Sequence, residues 1–276
     1  APRPGPAPVV VLAYDGVAAD EARVVVDLLA QAGLAVTVAS GSPAQGQGHV
    51  TTYAQLVADN LGVHAHNVEV RMGDSQTCPA GTGTLASRST AIGGSAIVQA
   101  CQNVLAQKRN GATFPITAEE KFTAKEAWSY GCVIVRMQID TDTGQPTLEH
   151  IEWVDDAGHV LQPKLVHGQL VGGAAQGLGQ ALLERMVYDT QGQLITGSLM
   201  DYALPRADNM PPIHISSLHT PSPNNLLGAK GVGEAGCIGL PAAIMNAARD
   251  ALSPMGEVEL QFPLTSEQLW RAVHAH

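Results

Sequence analysis

Hydrophobic positions recur along most of the chain at a period of either two residues or three to four, which predicts a mixture of strands and helices. Alternating or short apolar runs predict strands over 9–13, 34–39, 68–72, 131–139, 148–154, 213–218 and 255–262. Helical spacing predicts helices over 20–31, 50–61, 91–106, 165–186 and 266–273, and Pro241 is placed to open another that runs to residue 252. We therefore expect an α+β fold of mixed sheets with helices packed on their faces.

The first residues differ in composition from the rest of the chain. Residues 1–8 read APRPGPAP, which predicts an extended proline-rich lead. The strand, helix and strand predicted over 9–39 would form a compact unit of their own. We expect residues 1–34 to be a piece of separate origin and residues 35–276 to form the main domain.

Composition and charge then narrow the class of protein. The net charge is −10, and the densest basic cluster is only Lys108-Arg109, so binding to a nucleic-acid backbone is not expected. No apolar stretch reaches the roughly 18 residues that a membrane span requires. Without a recognisable leader pattern we expect a cytoplasmic protein with no membrane partner. Its cysteines should then be reduced structural thiols, and they are Cys78, Cys101, Cys132 and Cys237.

Glu234 lies in the middle of a glycine-rich run, GAKGVGEAG over 228–236. Small neighbours would let the backbone approach a bulky ligand and leave little water beside the carboxylate. A carboxylate in an apolar pocket suits a general base. The alternative is that Glu234 only supplies negative charge to the start of the following helix.

Two further glycine-rich segments, 46–49 and 81–84, stand just before predicted helices. A helix start offers unpaired N–H groups and a partial positive charge, so it binds phosphate. The second segment is followed by several hydroxyl side chains and by Arg88, which would suit a pyrophosphate. Taken singly, each segment is also compatible with an ordinary polar helix cap, and Gln47 with a solvated loop residue. Together with the Glu234 run they predict a large, anionic, buried cofactor beside a lone base.

The helix predicted over 165–186 contains an unusual number of glycines. Each costs a helix about 1 kcal/mol relative to alanine, so close approach of another backbone or of a cofactor is the expected reason. Gln176 lies on this glycine-rich face, where a buried amide must find partners in a cofactor edge or in a helix carbonyl. The glycines concerned are Gly168, Gly172, Gly173, Gly177 and Gly179.

Histidines at metal-ligand spacing occur in two places, 64–66 and 274–276. The first is expected to be a turn and the second a chain end, and such clusters are usually solvated. We therefore predict no metal ligation directly by side chains of this chain.

Five segments of the chain together resemble the molybdenum-binding subunit of the xanthine oxidase/aldehyde oxidoreductase family, and they occur in that family's order. They are QGQGHVTTYAQLVADNLGV (45–63), GTGTLASRSTAIGGS (81–95), HGQLVGGAAQGLGQALLE (167–184), DYALPRADNMP (201–211) and the stretch 221–241. The resemblance covers residues 35–272. It implies the back half of that subunit, because the family's front half is absent here.

The resemblance implies a molybdopterin cofactor carrying molybdenum, in bacteria often as the cytosine dinucleotide. Gln47 would contact the pterin, and Gln176 would lie against the cofactor. The residues at 86–90 would line the metal and the dinucleotide. The full set of candidate cofactor-binding residues is Gly46, Gln47, Gly48, His49, Thr84, Ala86, Ser87, Arg88, Ser89, Thr90, Gln176, Lys230, Gly231, Val232 and Gly233.

The resemblance also implies an activity and partners. Glu234 would be the catalytic base of a hydroxylase that oxidises an aldehyde or N-heterocycle with oxygen from water. Electrons would leave through iron–sulfur clusters to FAD on partner chains, and the rest of the molybdenum subunit would be a further partner. Because the front half is missing, the alternative is a non-catalytic assembly or structural subunit that keeps the fold.

Residues 9–39 resemble a different family, the ThiJ/PfpI-type amidotransferase-like fold. They match its opening strand, helix and strand, with Glu21 where those proteins keep a glutamate. No nucleophile elbow follows in the sequence. This resemblance would predict a reactive cysteine.

Overall fold

The computed structural model describes residues 35–79, 81, 83–123, 125 and 127–274, and the backbone of 21–29. The chain divides into two compact units. The first unit consists of the described residues up to Trp128, together with Ala157–Leu165 and His219–Gly231. The second unit consists of Ser129–Asp156, Val166–Leu218 and the described residues from Val232 onward.

The first unit contains a four-stranded mixed sheet in the order β3-β2-β1-β4. Strand β1 is antiparallel to β2 and β4, whereas β2 and β3 are parallel. The strands predicted over 34–39 and 68–72 are formed as β2 and β3, whereas β4 was not predicted, because the hydrophobic pattern after residue 107 is weak. The strands are β1 (Glu21–Leu29), β2 (Ala35–Ser40), β3 (Val68–Met72) and β4 (Ile116–Thr123).

The helix predicted over 20–31 is wrong where the structure describes it, because Glu21–Leu29 form β1. Three consecutive valines at 24–26 favour a strand, and β1 pairs along both edges, with Val25 opposite Ala39 and Glu119. Pairing on two sides outweighs the helical spacing of the apolar residues. The expected strand–helix–strand start of a ThiJ/PfpI-type fold is therefore not formed, and the strand predicted over 9–13 lies outside the described residues.

Two helices complete the first unit, α1 (His49–Leu61) and α2 (Ser89–Arg109), both close to the predicted ranges. Helix α2 packs on β1 and β4, and α1 packs on α2 and β3. Small residues on α2 allow this close packing. The buried core includes Val36, Val38, Tyr53, Val57, Ala96, Ile97, Cys101, Val104 and Ile116.

The second unit contains a three-stranded mixed sheet, β5-β6-β7, in which β5 is antiparallel and β7 parallel to β6. Its strands are β5 (Tyr130–Ile139), β6 (Pro146–Asp156) and β7 (Ile213–Ser217). A turn joins β5 to β6, and the Asp140 carboxylate stabilises it by accepting hydrogen bonds from the N–H groups of Asp142 (2.8 Å) and Thr143 (3.0 Å).

Its α-helices are α4 (Ala235–Ala251), α5 (Ser266–His274) and α3 (Pro163–Leu182), of which α3 belongs to this unit from Val166 onward. Helix α4 packs on β5, and the unit's core includes Ile151, Trp153, Leu170, Leu178, Leu240 and Ile244. Pro241 lies inside α4 rather than at its start. The strand predicted over 255–262 is also wrong: these residues are described and form none, and Leu260 is buried without strand pairing.

Both sheets are mixed and carry helices, so the predicted α+β class is confirmed. Among the helices that the structure describes, none is both long and apolar enough to cross a membrane.

Candidate cofactor site

The first glycine-rich loop leads directly into α1. Gly46 and Gly48 adopt left-handed φ angles of 96° and 84°, which suit glycine best. Gly48 caps α1 without any side-chain hydrogen bond, and the first turn holds no acidic residue. The start of α1 therefore leaves its N–H groups available to an anion.

The second loop ends in a strained turn before α2. Ala86 and Ser87 have φ angles of 53° and 54°, a conformation that costs non-glycine residues about 1–2 kcal/mol each. Arg88 stands at the N-cap of α2 without a side-chain capping bond, and no acidic residue follows in the first turn. Strained backbone that persists beside an uncapped helix start is typical of a ligand-binding segment.

The second loop is held against residues 41–43, the segment that leads into the first loop, within the first unit. The Thr84 hydroxyl donates to the Pro43 carbonyl oxygen at 2.6 Å. A Cβ at Gly81 would overlap the carbonyl group of Gly41. Glycine at position 81 thus permits a backbone approach that a larger residue would prevent.

A third loop, residues 222–231, closes on the strained turn. A Cβ at Gly231 would overlap the Ser87 carbonyl oxygen and lie 2.7 Å from the Ser87 Cβ. Asn225 pins this loop, because its side-chain oxygen accepts from the N–H groups of Leu227 and Ala229, each at 3.1 Å. The first unit thereby brings Gly231 to the turn that ends the second glycine-rich loop.

Two side chains of the first loop are fixed by neighbours. The half-buried Gln47 lies with its amide nitrogen 3.3 Å from His49 Nδ1. His49 is 4% exposed, and burial lowers its pKa from 6.5 to about 4. His49 is therefore a neutral imidazole at physiological pH.

Glu234 occupies the N-cap of α4 in the second unit, without a side-chain capping bond. Its side chain is exposed in the described part of the chain, so the expectation that small neighbours exclude water from it is wrong there. Gly233 and Ala235 have no side chain long enough to cover the carboxylate. The position at a helix start agrees with the alternative interpretation of Glu234 as a helix-start charge.

The glycines of α3 serve two purposes. A Cβ at Gly173 would lie 3.0 Å from the Gly236 Cα, and one at Gly177 would lie 3.1 Å from the Pro241 Cδ. These two glycines allow α3 and α4 to pack with their backbones in contact, as predicted for close approach of another backbone.

A second set of residues on α3 faces open space. A Cβ at Gly168 or Gly172 would meet nothing within 4 Å. Gln176 follows four residues after Gly172, so it lies on the same helix face, and it is exposed in the described chain. The expectation of a buried Gln176 amide with partners in the protein or the cofactor is therefore not met in the described chain, because an exposed amide can bond to water.

Direct metal ligation finds no support among the described residues, where no three His, Cys, Asp or Glu side chains are placed to hold an ion. The rings of His64 and His66 stack on each other with centroids 5.2 Å apart. Cys101 is buried, which raises its pKa to about 12 and leaves it unreactive. The other cysteines of the chain are also free thiols.

Sequence reasoning missed the residues that support the loops. Three of these residues contact the first two loops or the helices α1 and α2 that follow them: Tyr53, Leu165 and Gly93. Tyr53 was readable in part, since it lies four residues after His49 on the same face of α1. Leu165 packs under Gly48 from a distant part of the sequence, and no local pattern signals that.

The family described as the molybdopterin cofactor-binding domain matches residues 9–119 and 112–211. The chain belongs to this family. It is 34% identical over 286 residues to the nicotine 6-hydroxylase large subunit of Paenarthrobacter nicotinovorans, covering 86% of this chain and 35% of that protein. It is 31% identical over 282 residues to the carbon monoxide dehydrogenase large chain of Hydrogenophaga pseudoflava, with 86% and 35% covered.

The fold agrees with a solved structure of the same class. CO dehydrogenase from Oligotropha carboxidovorans superposes with a TM-score of 0.85 at 26% identity, covering 91% of this chain and 37% of that one. The chain thus spans little more than a third of the length of such relatives. The molybdopterin-binding identity expected from the sequence motifs is confirmed at the level of the family.

The described residues fit the cofactor of this family. Uncapped starts of α1 and α2 and open space above Gly46 and Gly83, where a Cβ would meet nothing within 4 Å, suit a large anionic group.

Proposed function

We propose that this chain is the molybdopterin-binding part of the large subunit of a molybdenum hydroxylase, which oxidises an aldehyde or an N-heterocycle. The observation that carries the proposal is the pair of uncapped helix starts beside the strained Ala86-Ser87 turn. Family membership names the ligand that these features suit.

The chain's own donors would hold the cofactor at two places. The N–H groups that begin α1 and α2 would bind its phosphates. Arg88 at the N-cap of α2 and Lys230, which precedes the Gly231 that packs on Ser87, would supply positive charge. Two such helix starts suit the pyrophosphate of a cytosine dinucleotide form. The amide of Gln47 would hydrogen-bond the pterin. Residues Gly46, Gly48, Thr84, Ser87, Ser89 and Thr90 would line the remainder.

When bound, the molybdenum cofactor supplies a centre that accepts two electrons from the substrate. Glu234 would act as the base, with its carboxylate accepting a proton from the water-derived oxygen that is transferred. Gln176, Val232 and Gly233 would be further contacts of the cofactor, as the family resemblance implies. Because Glu234 is exposed in the described chain, segments outside this chain would have to exclude water from it.

The remaining parts of such an enzyme would come from partner chains. The rest of the molybdenum subunit is the first of these, since relatives are almost three times as long as the matched region. Iron–sulfur clusters and FAD on other subunits would carry the electrons away. We expect the assembled enzyme in the cytoplasm.

The test is to purify the complex that contains this chain under native conditions. Molybdenum, released pterin and released cytidine monophosphate are then measured, and the copurifying chains are identified. We expect about one molybdenum and one cytidine nucleotide per copy of the chain. A complex that assembles but holds neither would overturn the proposal and favour a non-catalytic assembly subunit.

A further inference from the structure

A buried tyrosine joins the helices that follow the two glycine-rich loops. Tyr53 on α1 is fully buried, and its hydroxyl donates to the carbonyl oxygen of Ser89 at 3.1 Å. Ser89 is the first residue of α2. The bond therefore fixes the start of α2, where the strained turn ends, relative to α1.

The same tyrosine supports the first loop through His49. The two rings stack with centroids 5.2 Å apart and an interplanar angle of 14°. The side-chain oxygen of Gln47 accepts from the Gln45 N–H at 2.6 Å, so its amide nitrogen is the end that faces His49. His49 Nδ1 is then the acceptor, and its hydrogen lies on Nε2.

Gly93 on α2 provides the space for this arrangement. A Cβ there would lie 2.7 Å from the Tyr53 hydroxyl oxygen and 3.5 Å from Cζ. Neither atom has room to move, because the tyrosine is buried and its hydroxyl is bonded to Ser89. A glycine in the interior of α2 thus has a specific steric reason.

We propose that the side chains of Tyr53 and His49 are positioning groups for the molybdopterin site. They set the separation of the two loops and the orientation of the Gln47 amide, and neither side chain contacts the cofactor, whereas the His49 N–H stays among the donors at the start of α1. This inference rests on the proposed function. A ligand held at two points binds more tightly when the protein fixes the distance between them in advance. Tyr53, His49 and Gly93 together supply that fixed distance.

The test uses the native complex with Tyr53→Phe, Gly93→Ala and the double variant. Tyr53→Phe keeps the ring stack but removes the bond to Ser89, and it should weaken cofactor retention about three- to tenfold. Gly93→Ala should weaken it further by pushing the hydroxyl aside. In the double variant the clash is relieved, so Gly93→Ala should cost much less in the Tyr53→Phe background than alone.

Two readouts separate positioning from general stability. Cofactor retention is measured by the rate of pterin release, and the unfolding midpoint is measured on cofactor-free complex. Gly94→Ala is the matched glycine control, since its Cβ would meet the flexible ends of Leu227 (2.6 Å) and Leu56 (3.0 Å). Its effect should be the same in both Tyr53 backgrounds. Tyr188→Phe, at an exposed tyrosine, should change neither readout.

Three outcomes decide the inference. If Gly93→Ala lowers the unfolding midpoint equally with Tyr53 and with Phe at position 53, the steric contact between position 93 and the Tyr53 hydroxyl is overturned. This comparison is made on cofactor-free complex. If the Tyr53→Phe complex holds as much cofactor as the wild type and releases pterin at the same rate, only the positioning role is overturned. A wild-type complex without any molybdopterin would instead overturn the proposed function on which the inference depends.

Discussion

The two units of the chain hold their candidate residues in different ways. In the first unit the loops are locked by their own contacts: Thr84 bonds to Pro43, Gly231 packs on Ser87, and Tyr53 bonds to Ser89. In the second unit Glu234 and Gln176 are exposed. The contacts that hold the first arrangement lie within the described chain, whereas the two side chains of the second are open to solvent.

The difference indicates that the proposed cofactor binding and the proposed catalysis would make different demands on this chain. Holding a phosphate requires a rigid backbone with directed N–H groups, which a short stretch of chain can supply. A base that works in a water-poor site requires cover on several sides, and small residues around Glu234 supply none. We therefore expect variants in the first unit to affect loading and variants at Glu234 to affect turnover.

The largest expected effect is at Glu234. In the assembled enzyme, Glu234→Gln should reduce kcat by about a hundredfold or more, because an amide cannot accept the proton, and molybdenum content should stay at the wild-type level. Steady-state kinetics with metal analysis measures both. Glu259→Gln, also at an exposed glutamate, is the control and should leave kcat unchanged. A Glu234→Gln enzyme with more than about a tenth of the wild-type rate would remove Glu234 from the role of base.

The next effect concerns pH and the buried His49. Its pKa falls from 6.5 in the unfolded chain to about 4 in the folded one. The contribution of neutral His49 to the free energy of unfolding is therefore fully present above pH 6.5. It is lost as pH falls from 6.5 to 4, which lowers the free energy of unfolding by at most about 3 kcal/mol. Urea unfolding of wild type and His49→Gln across this window isolates the contribution. If both proteins lose stability in parallel, His49 does not remain neutral in the folded state.

A matched pair of glycine variants separates the two units. A Cβ at Gly231 would strike the Ser87 carbonyl, and a Cβ at Gly236 would strike the backbone of Gly173 and Ala174. Each alanine should destabilise its own unit by about 1–3 kcal/mol. Pterin content should fall in Gly231→Ala, and Gly236→Ala should mainly loosen α3 from α4. Amide hydrogen exchange shows which segments open in each variant. A Gly231→Ala complex that still holds its full content of pterin would contradict the proposed cofactor site.

The smallest effect is expected at Gly172 on the open face of α3. Alanine there would meet nothing within 4 Å, and it should stabilise the helix by about 1 kcal/mol in the isolated chain. In the assembled enzyme the same change should lower loading or assembly if a cofactor or a neighbouring segment lies on that face. A Gly172→Ala enzyme that assembles and loads fully would show that nothing approaches there closely.

Local patterns were sufficient for much of the fold and for the position of the glycine-rich loops before α1 and α2. Helices α1 and α2 and strands β5 and β6 have clear periodicity, and the glycine-rich loops stand just before the two helices. These features depend on residues close together in sequence. The molybdopterin-binding family was likewise readable from motifs in order along the chain.

The errors arose where distant pairing decides the structure. Strand β1 carries apolar residues at helical spacing, but its pairing with β2 and β4 fixes it as a strand. Burial of Glu234 was expected from small neighbours, yet burial depends on what covers a residue rather than on what flanks it. The close packing of Tyr53 against Gly93 joins residues 40 positions apart in the sequence, and no local pattern predicts such a contact.

The most direct test of the central claim is amide hydrogen exchange at the starts of α1 and α2, compared between the loaded complex and the same complex after cofactor removal. If these N–H groups bind the phosphates, exchange at residues 49–51 and 89–91 should slow markedly on loading. Exchange that is unchanged at both helix starts, in a complex shown to hold molybdopterin and to turn over substrate, would contradict the account.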